Sequence, residues 1–133
     1  MNAAVGDGGK YTGFTWSNLK GPFFHVSKST GFVHPSASDT WVFIDEHPDS
    51  VDDAILYTDP NATGVGNEAF TELPSSDHAG ACGIGFADGH ATIHKWTDSQ
   101  TVRPVRYVNQ NGVVVKDDKD LVYLGQATPR AAP

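Results

Sequence analysis

A mostly β fold, an antiparallel sheet carrying long ordered loops, is what this sequence predicts, and three observations lead there. Helical signal is nearly absent: no window of a dozen residues keeps a 3.6-residue apolar period free of Gly or Pro. Short runs rich in β-branched and aromatic residues recur instead, bounded by Gly, Pro, Asn, Asp or Ser. One boundary, Asp88-Gly89, lies between two such runs and is a strong local hairpin signal.

The elements follow in chain order. Residues 40–45 (Thr-Trp-Val-Phe-Ile-Asp) are a compact apolar run, expected as a strand buried on both faces. Around residues 50–55, Asp49 or Ser50 is placed to cap a short helical turn. Residues 54–57 read as a short strand ended by Asp59-Pro60. Residues 84–87 and 90–96 form the runs beside Asp88-Gly89. Residues 102–108 and 112–116 flank Asn109-Gln110-Asn111, a second hairpin signal, with Gly112 available for a left-handed position. Residues 121–124 are expected as a last strand. Residues 27–39 and 59–80 are long connections rich in Ser, Gly, Asp and Pro.

At 133 residues the chain reads as a single domain, 1–126, followed by a disordered tail over 127–133. A domain of this size buries enough surface to fold without staples, which suits a sequence whose one cysteine, Cys82, excludes an intrachain disulfide. Cys82 itself is expected as a small buried hydrophobe. The net charge of −7 speaks against nucleic acid as a partner, because phosphate binding needs a basic surface. No apolar run reaches the ~18 residues that a membrane span needs. The opening residues, Met-Asn-Ala-Ala-Val-Gly-Asp-Gly-Gly, read like the interior of a longer protein, so a preceding segment is expected.

A two-residue type I′ turn at Asp88-Gly89 fixes a register in which Ala87 faces His90, Phe86 faces Ala91, Gly85 faces Thr92 and Ile84 faces Ile93. Alternation then puts Ile84, Phe86, Ala91 and Ile93 on a core-facing side, and His90, Thr92 and His94 on an outer side opposite glycines.

Nine residues, 79–87, separate His78 from Asp88-Gly89, in the setting Ser-Ser-Asp-His-Ala-Gly followed by Gly-Phe-Ala-Asp-Gly-His-Ala. Upstream, Pro35-Ser36 leads into Thr-Trp-Val-Phe-Ile-Asp-Glu-His-Pro-Asp-Ser over 40–50, and Ile93-His94-Lys95-Trp96 follows the hairpin. These three blocks, in this order over about residues 30–105, resemble the prepilin-type H-x9-DG group of type IV pilin-like proteins and type II secretion pseudopilins. The resemblance implies a pseudopilin-like globular domain, α+β in the full-length family. A leader, a processing site and a long apolar helix anchor such proteins in the inner membrane and build the filament core. The β-domain then lies outside, periplasmic or at the cell surface, with other pilin-like subunits as partners. This chain departs from the family in carrying neither leader nor helix, so its contact with a membrane would run only through that segment. His78, Asp88 and Gly89 are the motif positions, expected to be structural, and the expected function is non-enzymatic.

Two clusters have the residue types of a metal site. Glu46, His47, Asp49, Asp52 and Asp53 offer the carboxylates that Ca²⁺ favours, and loop Ca²⁺ sites are known among pseudopilins; the set lacks the spacing of an EF-hand. His47, His78 and His90 are the nitrogen donors for Zn²⁺, without a tight pair on one element. The alternative for both is a hydrogen-bonded loop network. Ser75 and Ser76 near Asp77 and His78 have the residue types of a hydrolase but no nucleophile-elbow pattern. The aromatic residues Tyr11, Phe14, Trp16, Phe23, Phe24 and Phe32 crowd the first third, as packing or as a patch for polysaccharide or a neighbouring subunit. Besides the filament subunit, two further readings follow: a carbohydrate- or cargo-binding module, and a metal-dependent hydrolase.

Overall fold

The computed structural model describes residues 1–6 and 24–130. Its elements run β1 (Trp41–Ile44), β2 (Asn67–Phe70), β3 (Ala81–Phe86), β4 (Ala91–Lys95), β5 (Val113–Lys116) and α1 (Lys119–Gln126), preceded by a 3₁₀ turn at Ser29–Gly31. The fold is mostly β, as expected. Strands β1, β3 and β4 form one antiparallel sheet in that order, and β2 and β5 pair antiparallel in a second. Val42 is an extra residue on β1, since Trp41 pairs with Phe86 while Phe43 pairs with Gly85.

The core lies between the sheets and α1. Trp41, Leu56, Phe70, Leu73, Cys82, Ile84, Trp96, Val115, Leu121, Leu124 and Ala127 form one buried cluster. Cys82 is the small buried hydrophobe the sequence suggests, and burial pushes its thiol up to about 12.

Helix α1 replaces the strand expected over residues 121–124. Asp118 caps it, accepting the N–H groups of Asp120 and Leu121 at 2.9 Å each. Leu121 and Leu124, three apart, share the buried face. Asp120, also buried, reaches back to accept Thr97 N–H and Asp98 N–H, which ties the end of the first sheet to the helix. The chain beyond α1 is not a loose tail: Ala127, Thr128 and Pro129 are buried, and Arg130 N–H donates to His34 C=O at 3.0 Å. Residues 131–133 lie outside the described residues.

Other expectations shift as well. Residues 50–55 form turns rather than a helix, and residues 54–57 contribute only a bridge between Leu56 and Asn2. Residues 102–108 are a loop, so β5 pairs with the distant β2 and not across the 109–111 turn. Gly112 does take the left-handed conformation, φ +68°. Strand β1 is not buried on both faces, because Phe43 is 63% exposed.

The largest correction concerns the hairpin. Gly85 faces Ala91, Ile84 faces Thr92, Gly83 faces Ile93 and Cys82 faces His94. Phe86 N–H donates to His90 C=O at 2.9 Å and Gly89 N–H to Phe86 C=O at 3.0 Å. The loop therefore has three residues, and only Gly89 (φ +95°) is left-handed. The one-residue change turns every β4 side chain over. Ile93 becomes 74% exposed, and His94 turns inward, stacking on Tyr123 at 4.0 Å with Trp96 edge-on at 4.7 Å. The turn with two left-handed residues lies instead at Ala79-Gly80 (φ +55° and +80°), where His78 and Ala81 exchange backbone hydrogen bonds.

Candidate functional site

The three sequence blocks meet around the end of β1. Asp45 leaves that strand and places a carboxylate oxygen 3.3 Å from the N–H of Gly83 and 4.0 Å from His78 Nε2. A Cβ at Gly83 would lie 3.2 Å from that oxygen, so the close approach favours glycine there. The segment over 45–47 is laced to the segment over 73–75 by Ser75 N–H to Asp45 C=O (2.7 Å) and His47 N–H to Leu73 C=O (2.9 Å). Trp96 Nε1–H closes the arrangement by donating to Ser75 C=O at 2.7 Å. His78 thus stands at the surface, at the head of β3, beside the carboxylate from the second block.

Asp88 and Gly89 make the hairpin tip. Asp88 Oδ1 accepts from His90 N–H at 3.1 Å and from its Nδ1 at 2.5 Å, and this bonding holds the carboxyl below its ordinary range. The His90 ring lies flat on Phe86, centroids 4.3 Å apart.

The proposed ion ligands do not come together as a set. His47 is fully buried; its Nδ1 accepts Asp49 N–H at 3.1 Å, so Nε2 carries the proton and donates to Arg103 C=O at 3.0 Å. Asp49 is the anchor of the 103–110 loop, accepting Arg106 N–H (2.7 Å), Tyr107 N–H (2.8 Å) and Gln110 Nε2–H (2.6 Å). Burial pushes the Asp49 carboxyl up, but these bonds outweigh it and hold it below its usual value. Asp52 takes Asn111 Nδ2–H at 2.9 Å and Asp53 takes Ile55 N–H at 2.6 Å. Glu46 accepts Ser50 Oγ–H at 3.3 Å, while Glu72 accepts Tyr57 N–H at 2.5 Å. Burial, with the neighbouring Asp52 and Asp53 charges, pushes both glutamates up to about 7. Among the described residues, no group of three or more His, Cys, Asp or Glu is arranged to hold a metal. The serines considered for catalysis are likewise engaged: Ser75 Oγ accepts Asp77 N–H, and Ser76 Oγ donates to Arg103 C=O at 3.1 Å.

Two depressions among the described residues adjoin the motif positions. A trough of about 380 Å³ runs over Gly83 and Gly85 between Phe43 on one side and Ala91 and Ile93 on the other, with Asp45 at its end. A wider cleft of about 660 Å³ lies between the 34–39 loop, the Phe86–His90 stack and the Tyr123, Gln126 and Arg130 side of α1 and its extension. The hairpin motif pointed toward the trough, but its outer face is Ile93 and glycine, not the His90, Thr92 and His94 set. Tyr123 and Arg130 carry no sequence signal of their own. Of the aromatic group, Tyr11, Phe14, Trp16 and Phe23 lie outside the described residues, Phe24 is exposed and Phe32 half-buried. No helix of the described residues is long and apolar enough to cross a membrane. In comparisons with protein-family models, curated proteins and solved structures, none matches this chain.

Proposed function

We propose that this chain is the outer β-domain of a pilin-like subunit of the H-x9-DG kind, a non-catalytic part of a type II secretion or type IV pilus-like filament. The observation that supports this reading best is the meeting of Asp45 with His78 and Gly83, which draws the separate motif blocks into one scaffold. Its buried polar groups, His47 and Asp49 among them, are spent on loop architecture, and the open trough and cleft are suited to packing against other proteins. The decisive experiment is to read the coding sequence upstream of Met1 and express the full gene with a prepilin peptidase. The expected result is a leader, a cleavable processing site and an apolar helix of ~20 residues. A gene encoding none of these overturns the reading.

A second reading, a carbohydrate-binding module, is favoured by the wide cleft, where Tyr123 and His90 offer ring faces and Ser36, Asp39 and Arg130 offer polar groups. Glycan-array binding lost in Tyr123→Ala supports it, and an array without signal removes it.

A further inference from the structure

We propose that His94 is an acid-released latch between β4 and α1: neutral, its ring lies locked against Tyr123; protonated, it leaves that seam and frees the Tyr123 side of the helix. This goes beyond the filament reading and does not depend on it.

The placement of the ring carries the proposal. His94 sits on β4 opposite the buried Cys82 of β3. Its imidazole lies nearly parallel to the Tyr123 ring of α1, 9° between planes and 4.0 Å between centroids, while Trp96 meets it at 63°. Asp120 ties the first turn of α1 to the backbone of Thr97 and Asp98. The His94–Tyr123 stack ties the turn that follows.

This seam has no place for a second proton on the ring. His94 Nε2 is buried and has no hydrogen-bond partner among the described residues. A neutral imidazole tolerates that, because it can carry its proton on Nδ1 and leave Nε2 a bare acceptor. The imidazolium must carry a proton on both nitrogens, so it would bury a charge together with a donor that has no acceptor. The flat face of Tyr123 attracts a cation weakly. It offers no acceptor in the plane of the imidazole, where the N–H points.

The neighbouring groups do not supply the missing partner. Cys82 on β3 and Tyr123 on α1 are both pushed up by burial and stay neutral. Lys95, next along β4, is exposed and alternates to the other face. Asp120 on α1 favours the imidazolium by its charge, but its oxygens already accept Thr97 N–H, Thr97 Oγ–H and Asp98 N–H. Burial prevails over that charge and holds the imidazole below its ordinary 6.5.

Released into water, the ring titrates near 6.5. The latch is therefore closed above that pH, and its hold is lost as pH falls from 6.5 toward the ring's own lower value. Glu46 and Glu72 act in the opposite sense as pH falls, so a melt of the whole protein does not isolate the latch. Tyr123 also lines the wide cleft, so its release reshapes that wall.

The test reads the helix itself, by amide exchange of the whole chain at about pH 7 and about pH 5, with rates corrected for their intrinsic pH dependence. In the wild type, protection of the Tyr123, Leu124 and Ala127 amides, taken relative to the β2–β5 pair, should fall at least about threefold at the lower pH. His94→Phe keeps a flat ring against Tyr123 and carries no charge, so its helix should show the same relative protection at both. The wild-type His94 ring, followed by NMR, should titrate below 6.5 and in step with the loss of protection. Helix protection that ignores pH in the wild type overturns the proposal. An equal fall in His94→Phe overturns it too, because another group would then carry the response. A ring that titrates at or above 6.5 does the same. If His94→Phe does not fold, the ring titration and the wild-type exchange still decide, since the two must move over one pH range. None of these outcomes bears on the upstream gene, which tests the filament reading separately.

Discussion

The indole N–H of Trp41 donates to the hydroxyl of Thr128 at 3.1 Å, and that hydroxyl donates in turn to Leu124 C=O at 2.8 Å. The first strand of the core is thereby fastened to the chain just past its helix. Thr128→Val keeps the shape and removes the acceptor, leaving the indole only the longer bond to Leu124 C=O (3.3 Å). A loss of about 1–2 kcal/mol in denaturant unfolding is expected. Trp41→Ala, which empties the centre of the core, should cost about 3–5 kcal/mol.

Gly125 closes against the loop before β2. A Cβ there would sit 2.4 Å from the Asp59 carbonyl oxygen, a backbone atom that also accepts Ala62 N–H. In an exposed helix the change to Ala gains ~1 kcal/mol. Here Gly125→Ala should instead lose about 1–3 kcal/mol through overpacking, while the exposed Gln126→Ala stays near neutral. Thermal melts of the two variants separate the effects.

Glu46 and Glu72, both pushed up to about 7 from an ordinary 4.5, make stability fall as pH rises. Folding takes up protons between these values, so the contribution is full below about 4.5 and lost through 7. The Tm should therefore rise as pH is lowered from 8 to about 5. Glu72→Gln keeps an acceptor for Tyr57 N–H and removes the charge. It should raise the Tm at pH 8 and change it little at pH 5; a Tm lowered equally at both would contradict this account.

Asp49 accepts the N–H groups of Arg106 and Tyr107 and the side chain of Gln110 from one carboxylate. Asp49→Ala should release the 103–110 loop as a unit, with the amides of Arg106, Tyr107 and Gln110 exchanging markedly faster and those of β3 little changed. Because these bonds hold its carboxyl low, this support persists at neutral pH and fails only as pH falls below the usual carboxylate range.

The sequence revealed the sheet class, the hairpin and the left-handed glycines 89 and 112, because each is written in adjacent residues. The hairpin register read from it was one residue off, since Asp-Gly serves a two-residue turn and a three-residue loop alike, and what separates them is whether Ile93 or His94 falls opposite Cys82 and Ile84 on the buried side. Helix α1 hid behind a short apolar run, Leu-Val-Tyr-Leu; the signals that would have found it were Asp118 as a cap and Leu121 with Leu124 at helical spacing. The pairing of β5 with β2 and the bonds of His47 and Asp49 to the 103–110 loop join residues more than forty positions apart. No local pattern encodes such partners.

The fastening of Trp41 has a consequence for how the protein is made. Its partners Leu124 and Thr128 follow it by 83 and 87 residues. During synthesis the ribosome must deliver nearly the whole described chain before the indole can be enclosed. Contacts of such long sequence separation make closure slow. The half-made domain therefore travels with its largest core side chain uncovered, a natural point of engagement for chaperones, and completes itself only once the last helix has emerged.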